Sequence, residues 1–461
     1  MKKTLLLGIS TLLFSSFCLA APKFNDKAIK QLQQNSQQSD LAYELVASLT
    51  TEIGPRLAGS ENDLKAVDWA HQKMTELGFD KIYKQPVQVR DWQRVSASLQ
   101  VSSPYQHELN VSALGGSIST PEQGIKASVV RFESLLDLQQ ANRQDVEGKI
   151  VYLAGKMERD KTGESYAKQV SARTHGAIAA AKLGAKAVII RSISTASSAN
   201  PHTGSLRYHP EIAKIPAAAI GVSSAELLDR LFSYDKGVEI ALNIQNQEQN
   251  WKTSYNVIGE ITGSTTPDEY VLLGAHLDSW DLGTGALDNG AGVAIVTAAA
   301  HAVKQLGQPK RSIRVVLFAN EEFGLKGAKA FAKQHEQTLD NIVVAAESDF
   351  GAGDVWRFDT RVAHSALSFT DEILAKVRHL SVMRGHNRAL GGPDVSVLAK
   401  LGVPVVNWLQ DGRDYFDYHH SQEDTLDKID PKNLQQNVSI YATFAYMVAN
   451  SDINFRNQQD K

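Results

Sequence analysis

Four short apolar runs in the second half of the chain each lead into a histidine or a carboxylate, and this constrains the fold more than any other feature. Val271 to Ala275 runs into His276-Leu277-Asp278, and Asp288 follows ten residues after Asp278. Val315 to Ala319 leads to Asn320-Glu321-Glu322, Ile342 to Ala346 leads to Glu347-Ser348-Asp349, and Val403 to Trp408 precedes the loop holding His419-His420. Runs this short, separated by longer amphipathic stretches, read as buried parallel strands with crossover helices. The expected class is α/β, with a largely parallel sheet between helices. Such sheets bind ligands outside the carboxyl ends of their strands, so the four run ends should meet in one place.

The residues that would meet there have a definite chemistry. A pair of metal ions needs a carboxylate offering both oxygens, and each ion then takes an imidazole nitrogen and a further carboxylate, with positions left open for water and substrate. His276, Asp288, Glu322, Asp349 and His420 supply two imidazoles and three carboxylates. Asp278, two residues from His276, is placed to accept the other ring N–H and fix the tautomer. Glu321 precedes a ligand without needing to be one, and a free carboxylate beside an activated water is a natural general base. Singly, these features are weak: an adjacent Glu-Glu is usually a solvated helix start, and a loop histidine is usually only a satisfied polar group. Their coincidence at run ends, all in one half of the chain, is what argues for a metal site.

The rest of the sequence sets limits. At 461 residues the chain has room for two domains, and 43% apolar with 21% charged residues is ordinary globular composition. A formal charge of −3 with no basic stripe argues against a nucleic-acid partner. Residues 1–20 carry Lys2-Lys3, an apolar stretch from Leu5 to Phe17 and a small-residue exit at Ala20, the pattern of a signal peptide, so a secreted or periplasmic protein is expected. No later window reads as apolar enough to span a membrane. The single cysteine, Cys18, would leave with the signal, so neither a disulfide nor a Cys-ligated metal is expected in the mature chain.

Residues 21–38, rich in Gln, Asn and Ser, read as a mobile leader or pro-segment. Helical patterns follow from Asp40 to Thr51 and from Glu61 to Leu77, the second closed by Gly78. From 95 to 249 the texture changes to shorter strands and helices, and the histidines there (His107, His175, His202, His209) are scattered without ligand spacing. This stretch reads as an inserted accessory domain carrying no chemistry. Asp430-Pro431 opens a last helix, as N-cap and first helical residue.

The motifs His276-Leu277-Asp278, Gly285-Ala286-Leu287-Asp288-Asn289-Gly290, Asn320-Glu321-Glu322-Phe323-Gly324, Glu347-Ser348-Asp349 and His420-Ser421-Gln422-Glu423-Asp424 together resemble the M28 family of co-catalytic zinc peptidases. Gly54-Pro55-Arg56-Leu57-Ala58-Gly59-Ser60 and Gly391-Gly392-Pro393-Asp394 fit as well, and the resemblance covers essentially the mature chain. It implies an M28-type sheet sandwiched by helices over 39–94 and 250–461, with a protease-associated domain inserted at 95–249. It implies two zinc ions per subunit on His276, Asp288 (bridging), Glu322, Asp349 and His420, with Glu321 as base. The family pattern puts the ligand directly before Ser or Thr and four residues ahead of Asp, which selects His420 over His419. Asn289 departs from relatives that often carry a second acid there.

Within the family the likeness is strongest to its carboxypeptidase group. That implies hydrolysis of short unblocked peptides, chiefly dipeptides, and a homodimer, while aminopeptidase specificity is the alternative. Single-zinc glutaminyl cyclases share the fold, but the full ligand set argues for two metals. An inactive binding scaffold would have lost a ligand or the base. A carboxypeptidase needs a cation for the substrate carboxylate, and Arg384, Arg388 and Arg413 lie near the motifs in sequence.

Overall fold

The computed structural model describes residues 24–456; the expected signal peptide lies outside them. The apolar runs form the strands Thr266–His276, Arg311–Phe318, Ile342–Glu347 and Val405–Gln410. Thr266–His276 sits between Arg311–Phe318 and Ile342–Glu347, parallel to both, and Val405–Gln410 continues the parallel set beyond Ile342–Glu347. Period-two alternation explains why these runs are apolar throughout. Val271, Leu273 and Ala275 face one core with Val315, Leu317, Val344 and Ala346, whereas Tyr270 and Leu272 face another with Val316, Phe318 and Ala345. Helices Ala291–Leu306 and Pro431–Ala449 cover the first face, and Lys326–Gln334 and Val395–Ala399 cover the second. The last helix starts as its sequence requires, with the Asp430 side chain accepting from the Lys432 N–H at 2.9 Å.

Ala291–Leu306 belongs to a segment, Ala286–Leu306, long and apolar enough by composition to cross a membrane. This corrects the expectation that no later window qualifies. Its most apolar window is 89% buried, and it serves as the central core helix, its Ala and Gly residues permitting close packing.

A second correction concerns residues 21–38. Their described part forms the helix Asp26–Gln37, capped by Asn25, with Ile29, Leu32, Gln33 and Ser36 buried. Those positions follow the i, i+3, i+4, i+7 stripe of a docked helix. Gln33 donates from Nε2 to the Lys376 carbonyl at 3.0 Å and to Thr443 Oγ1 at 3.2 Å, so the polar composition that suggested a mobile leader instead ties the helix down.

Two 23-residue strands, Lys81–Ser103 and Glu239–Ile261, pair antiparallel and carry the chain into and out of the 95–249 segment. They do not stop at its ends: they bend through register shifts at Arg90/Trp92 and Arg94/Ser96. One sheet of 14 strands thus runs from Met383–Arg384 at one edge, through Glu239–Ile261, onto which Lys81–Ser103 also pairs, to Ile125–Phe132, Ile150–Leu153, Ala187–Arg191, Ala217–Ile220 and, at the other edge, Val111–Ala113. The segment packs around two apolar clusters: one around Val151, Val188 and Ala219, and one around Ile150, Ile189 and Ile240 that also takes in Leu57, Trp92 and Trp280 from outside it.

Leu32→Ala should destabilise the protein by about 2–4 kcal/mol through lost burial and a residual cavity. A denaturant midpoint identical to that of the parent would mean that the helix is not part of the folded unit.

Candidate metal centre and active site

The parallel strands deliver their C-terminal residues side by side. His276 pairs in register with Phe318, and Glu347 with Gly274. Asn320 adopts a left-handed conformation (φ 59°), which asparagine tolerates better than most residues, and turns the chain so that Glu321 and Glu322 follow directly after the strand.

The five expected ligands come together around Asp288. Its Oδ1 lies 3.0 Å from His276 Nε2, which is 3.2 Å from Asp349 Oδ1. Its Oδ2 lies 3.1 Å from His420 Nε2, which is 3.2 Å from Glu322 Oε2. A tetrahedral ion with bonds of about 2 Å holds its donors roughly 3.3 Å apart. Two such donor sets, each of an imidazole and two carboxylates, therefore share the two oxygens of one residue. Glu321 stands beside them: one oxygen each of Glu321 and Glu322 and a His276 ring nitrogen all lie within 4.8 Å of one another.

Both imidazoles present their Nε2 to the cluster because Nδ1 is engaged elsewhere. His276 Nδ1 lies 2.9 Å from the Asp278 main-chain carbonyl, and His420 Nδ1 lies 3.2 Å from the Thr203 carbonyl. Only an Nδ1–H satisfies a carbonyl, so in the neutral ring, the form that binds a metal, each Nε2 offers its lone pair to the cluster. The expected role of Asp278 is thereby modified. Its carboxylate stands 3.7 Å from the ring and instead accepts the Glu321 N–H at 3.1 Å, so it fixes the candidate base through the main chain.

The electrostatics favour cations. Burial opposes charge on His276 and His420, yet Asp349, Asp278 and Asp288 beside the first and Glu322 and Asp288 beside the second hold both well above the ordinary imidazole value. Burial also pushes Glu321 up, opposed by His276 and reinforced by the neighbouring carboxylates.

His419 stays at the margin. Its Nε2 is 3.5 Å from Asp288 Oδ2, and its ring stacks on His420 at 3.5 Å between centroids, boxed by Tyr166, Tyr415 and Phe416. Burial and His420 hold it well below the ordinary imidazole value. His420 itself sits at φ 61°, a conformation costing about 1–3 kcal/mol for a residue with a side chain. Its carbonyl accepts the Thr203 N–H at 2.9 Å, which holds it there.

Several supports were not apparent from the sequence. Arg56, fully buried, donates to the carbonyls of Leu277 (2.6 Å), Thr284 (2.7 Å) and Gly285 (2.9 Å), locking the loop between His276 and Asp288. Its motif was visible but not its role. Asp424, four residues after His420, accepts the N–H groups of Leu287 (2.6 Å) and Asp288 (3.2 Å). Asn289 is neutral for a local reason: its amide donates to the Ser348 carbonyl at 2.9 Å and accepts from the Gly292 N–H at 3.0 Å, a pairing no ionised acid could make.

The 95–249 segment, expected to carry no chemistry, in fact reaches the site. Besides Thr203, His202 places its Nδ1 2.6 Å from the His419 carbonyl, and Tyr166 and Arg173 line the cavity over the cluster. That cavity encloses about 370 Å³. Arg384, Arg388 and Arg413 do not line it. Arg413 pairs with Asp411 at 2.7 Å, Arg384 lies 3.5 Å from Asp371, and Arg388 is exposed.

A shared carboxylate between two histidine–carboxylate sets, at the C-terminal ends of parallel strands, defines a metal-dependent hydrolase. The chain belongs to peptidase family M28, whose model matches residues 256–445. It is 34% identical to human carboxypeptidase Q over 92% of this chain and 89% of that protein. It is 51% identical to a solved peptidase M28 precursor from Shewanella amazonensis SB2B, with a TM-score of 0.93 over 95% of this chain and 99% of that one. BSAP, a zinc aminopeptidase from Bacillus subtilis, shares the fold at 22% identity and a TM-score of 0.65, covering 89% of this chain and 95% of that one.

His420→Ala should lower the bound metal, whereas His419→Ala should leave metal content unchanged, as read by elemental analysis after dialysis. Metal loss in the His419 variant alone would reverse the assignment.

Proposed function

We propose that the chain is an exported exopeptidase that uses two zinc ions to hydrolyse short unblocked peptides, chiefly dipeptides. The observation that carries this reading is Asp288, which offers one oxygen to each of two separate imidazole–carboxylate pairs. Zinc is favoured by the mixed nitrogen and oxygen donors. Ions bound there would supply an activated water and a Lewis acid for the scissile carbonyl.

The protein's own residues do the rest. His276, Asp349, His420 and Glu322 fix the positions of the ions through imidazoles whose tautomers are set by main-chain carbonyls. Glu321, held by the Asp278 carboxylate through its N–H, takes the proton from the attacking water and returns it to the leaving nitrogen. Tyr166, Phe416 and Tyr415 wall the cavity and limit water around the reacting bond. The 95–249 segment serves as a protease-associated unit completing the pocket, and residues 1–20 direct export.

Likeness to carboxypeptidase Q over most of both chains favours release of the C-terminal residue. The aminopeptidase reading is kept alive by the fold shared with the Bacillus enzyme, and a dipeptide cleaved more slowly than its C-terminal amide would favour it.

Glu321→Gln should retain both metals and the fold yet lose about 10²–10⁴-fold in dipeptide hydrolysis, since it removes the base and no ligand. A variant with parental turnover would remove Glu321 from the mechanism.

A further inference from the structure

Arg173 is a buried cation with little to neutralise it. It projects from the helix Glu164–Lys182 of the 95–249 segment, is 7% exposed, and lines the same cavity as Glu321, Asp349 and His420. Its Nε has no hydrogen-bond partner, and its guanidinium forms no ion pair among the described residues. Nη1 makes one long hydrogen bond, to the Thr203 carbonyl at 3.4 Å, and lies 3.4 Å from His420 Nδ1. In the tautomer whose Nδ1–H is directed at the Thr203 carbonyl, that nitrogen does not accept. Tyr166 supports the guanidinium from one side, with Cζ 5.6 Å from its ring centre. Gly204 leaves room on another side, since a Cβ there would lie 2.4 Å from the Arg173 Cζ.

An unpaired buried guanidinium is costly, and five fixed donors suit one partner above others, a carboxylate taken by two parallel hydrogen bonds. The protein's own carboxylates in this cavity do not fill that role: Asp288, Glu322 and Asp349 face the histidines, and Glu321 is the base. We propose that Arg173 receives the free C-terminal carboxylate of the substrate. It thereby sets which end of the peptide is read. This rests on the exopeptidase reading above and deepens it: the catalytic body holds the scissile bond, and the inserted segment measures one residue beyond it. Peptides blocked at the C-terminus, or extending further in that direction, place no charge at Arg173 and leave it buried and unpaired.

The test uses the full mature enzyme loaded with zinc, as parent, Arg173→Gln and Arg173→Lys. Substrates are alanyl-alanine and alanyl-alaninamide, with metal content measured on each sample and thermal protection by free leucine compared with that by leucinamide. The parent should prefer the acid and be protected by leucine more than by leucinamide. Arg173→Gln should lose about 10²-fold in kcat/KM on the acid, mainly through KM, with the amide changed only a few-fold, metal unchanged and leucine protection gone. Arg173→Lys, which keeps the charge, should retain the preference at a higher KM, and it preserves the test if the Gln variant folds poorly. Equal losses on both substrates, or a Gln variant that still prefers the acid, would overturn the role of Arg173 while leaving the exopeptidase reading intact. A parent that prefers the amide would instead sink the carboxyl-terminal reading itself.

Discussion

The structure depends on burying a crowd of carboxylates in one place. Asp278, Asp288, Glu322, Glu347, Asp394 and Asp424 are all buried around the strand ends, and Asp349 and Glu321 line the cavity. Burial pushes Glu347 to about 8 with help from Asp349, and Asp424 to about 7 with help from Asp288. Each uncompensated charge of this kind costs several kcal/mol, and a fold tolerates such a group only where protons, hydrogen bonds or cations compensate it. Arg56 answers part of the demand, but its donors are spent on the carbonyls of the loop that carries Asp288. On the proposed reading, divalent ions held between His276 and Asp349, and between His420 and Glu322, would supply the rest.

The two regions of the chain form one working unit. The long antiparallel strands join them through a continuous sheet, so the inserted segment is held against the catalytic body by ladder hydrogen bonds rather than by a linker. Its loop at His202-Thr203 clamps both His419 and His420 through main-chain contacts. The His420 ring and its left-handed backbone are therefore held by a segment 217 residues away. Groups that hydrogen-bond the far nitrogen of a metal-binding imidazole are typically worth about 10–100-fold in metal affinity.

What the sequence revealed follows from locality. Strand ends and ligands lie within a few residues of one another, so apolar runs and spacing exposed the parallel sheet and the residues that gather at Asp288. The same logic fails wherever the partner is remote. Arg384, Arg388 and Arg413 are near the motifs in sequence and away from the cavity, whereas Arg173 and Thr203 are far in sequence and at the site. Composition misled at both extremes of polarity. The Gln- and Asn-rich stretch conceals the Ile29, Leu32, Gln33, Ser36 stripe of a docked helix, and the apolar helix Ala291–Leu306 is buried by its neighbours. The exchange of roles between the Asp278 carboxylate and its carbonyl depends on a rotation of the side chain that spacing alone does not encode.

The most direct measurement is a zinc titration of chelator-treated protein, following dipeptide hydrolysis and thermal unfolding together. Hydrolysis and stability should rise until two equivalents per chain are bound, and Asp288→Asn should weaken both positions at once, because each relies on one of its oxygens. Full activity at one equivalent, or an Asp288→Asn variant that holds two ions as tightly as the parent, would contradict a centre built on a shared carboxylate.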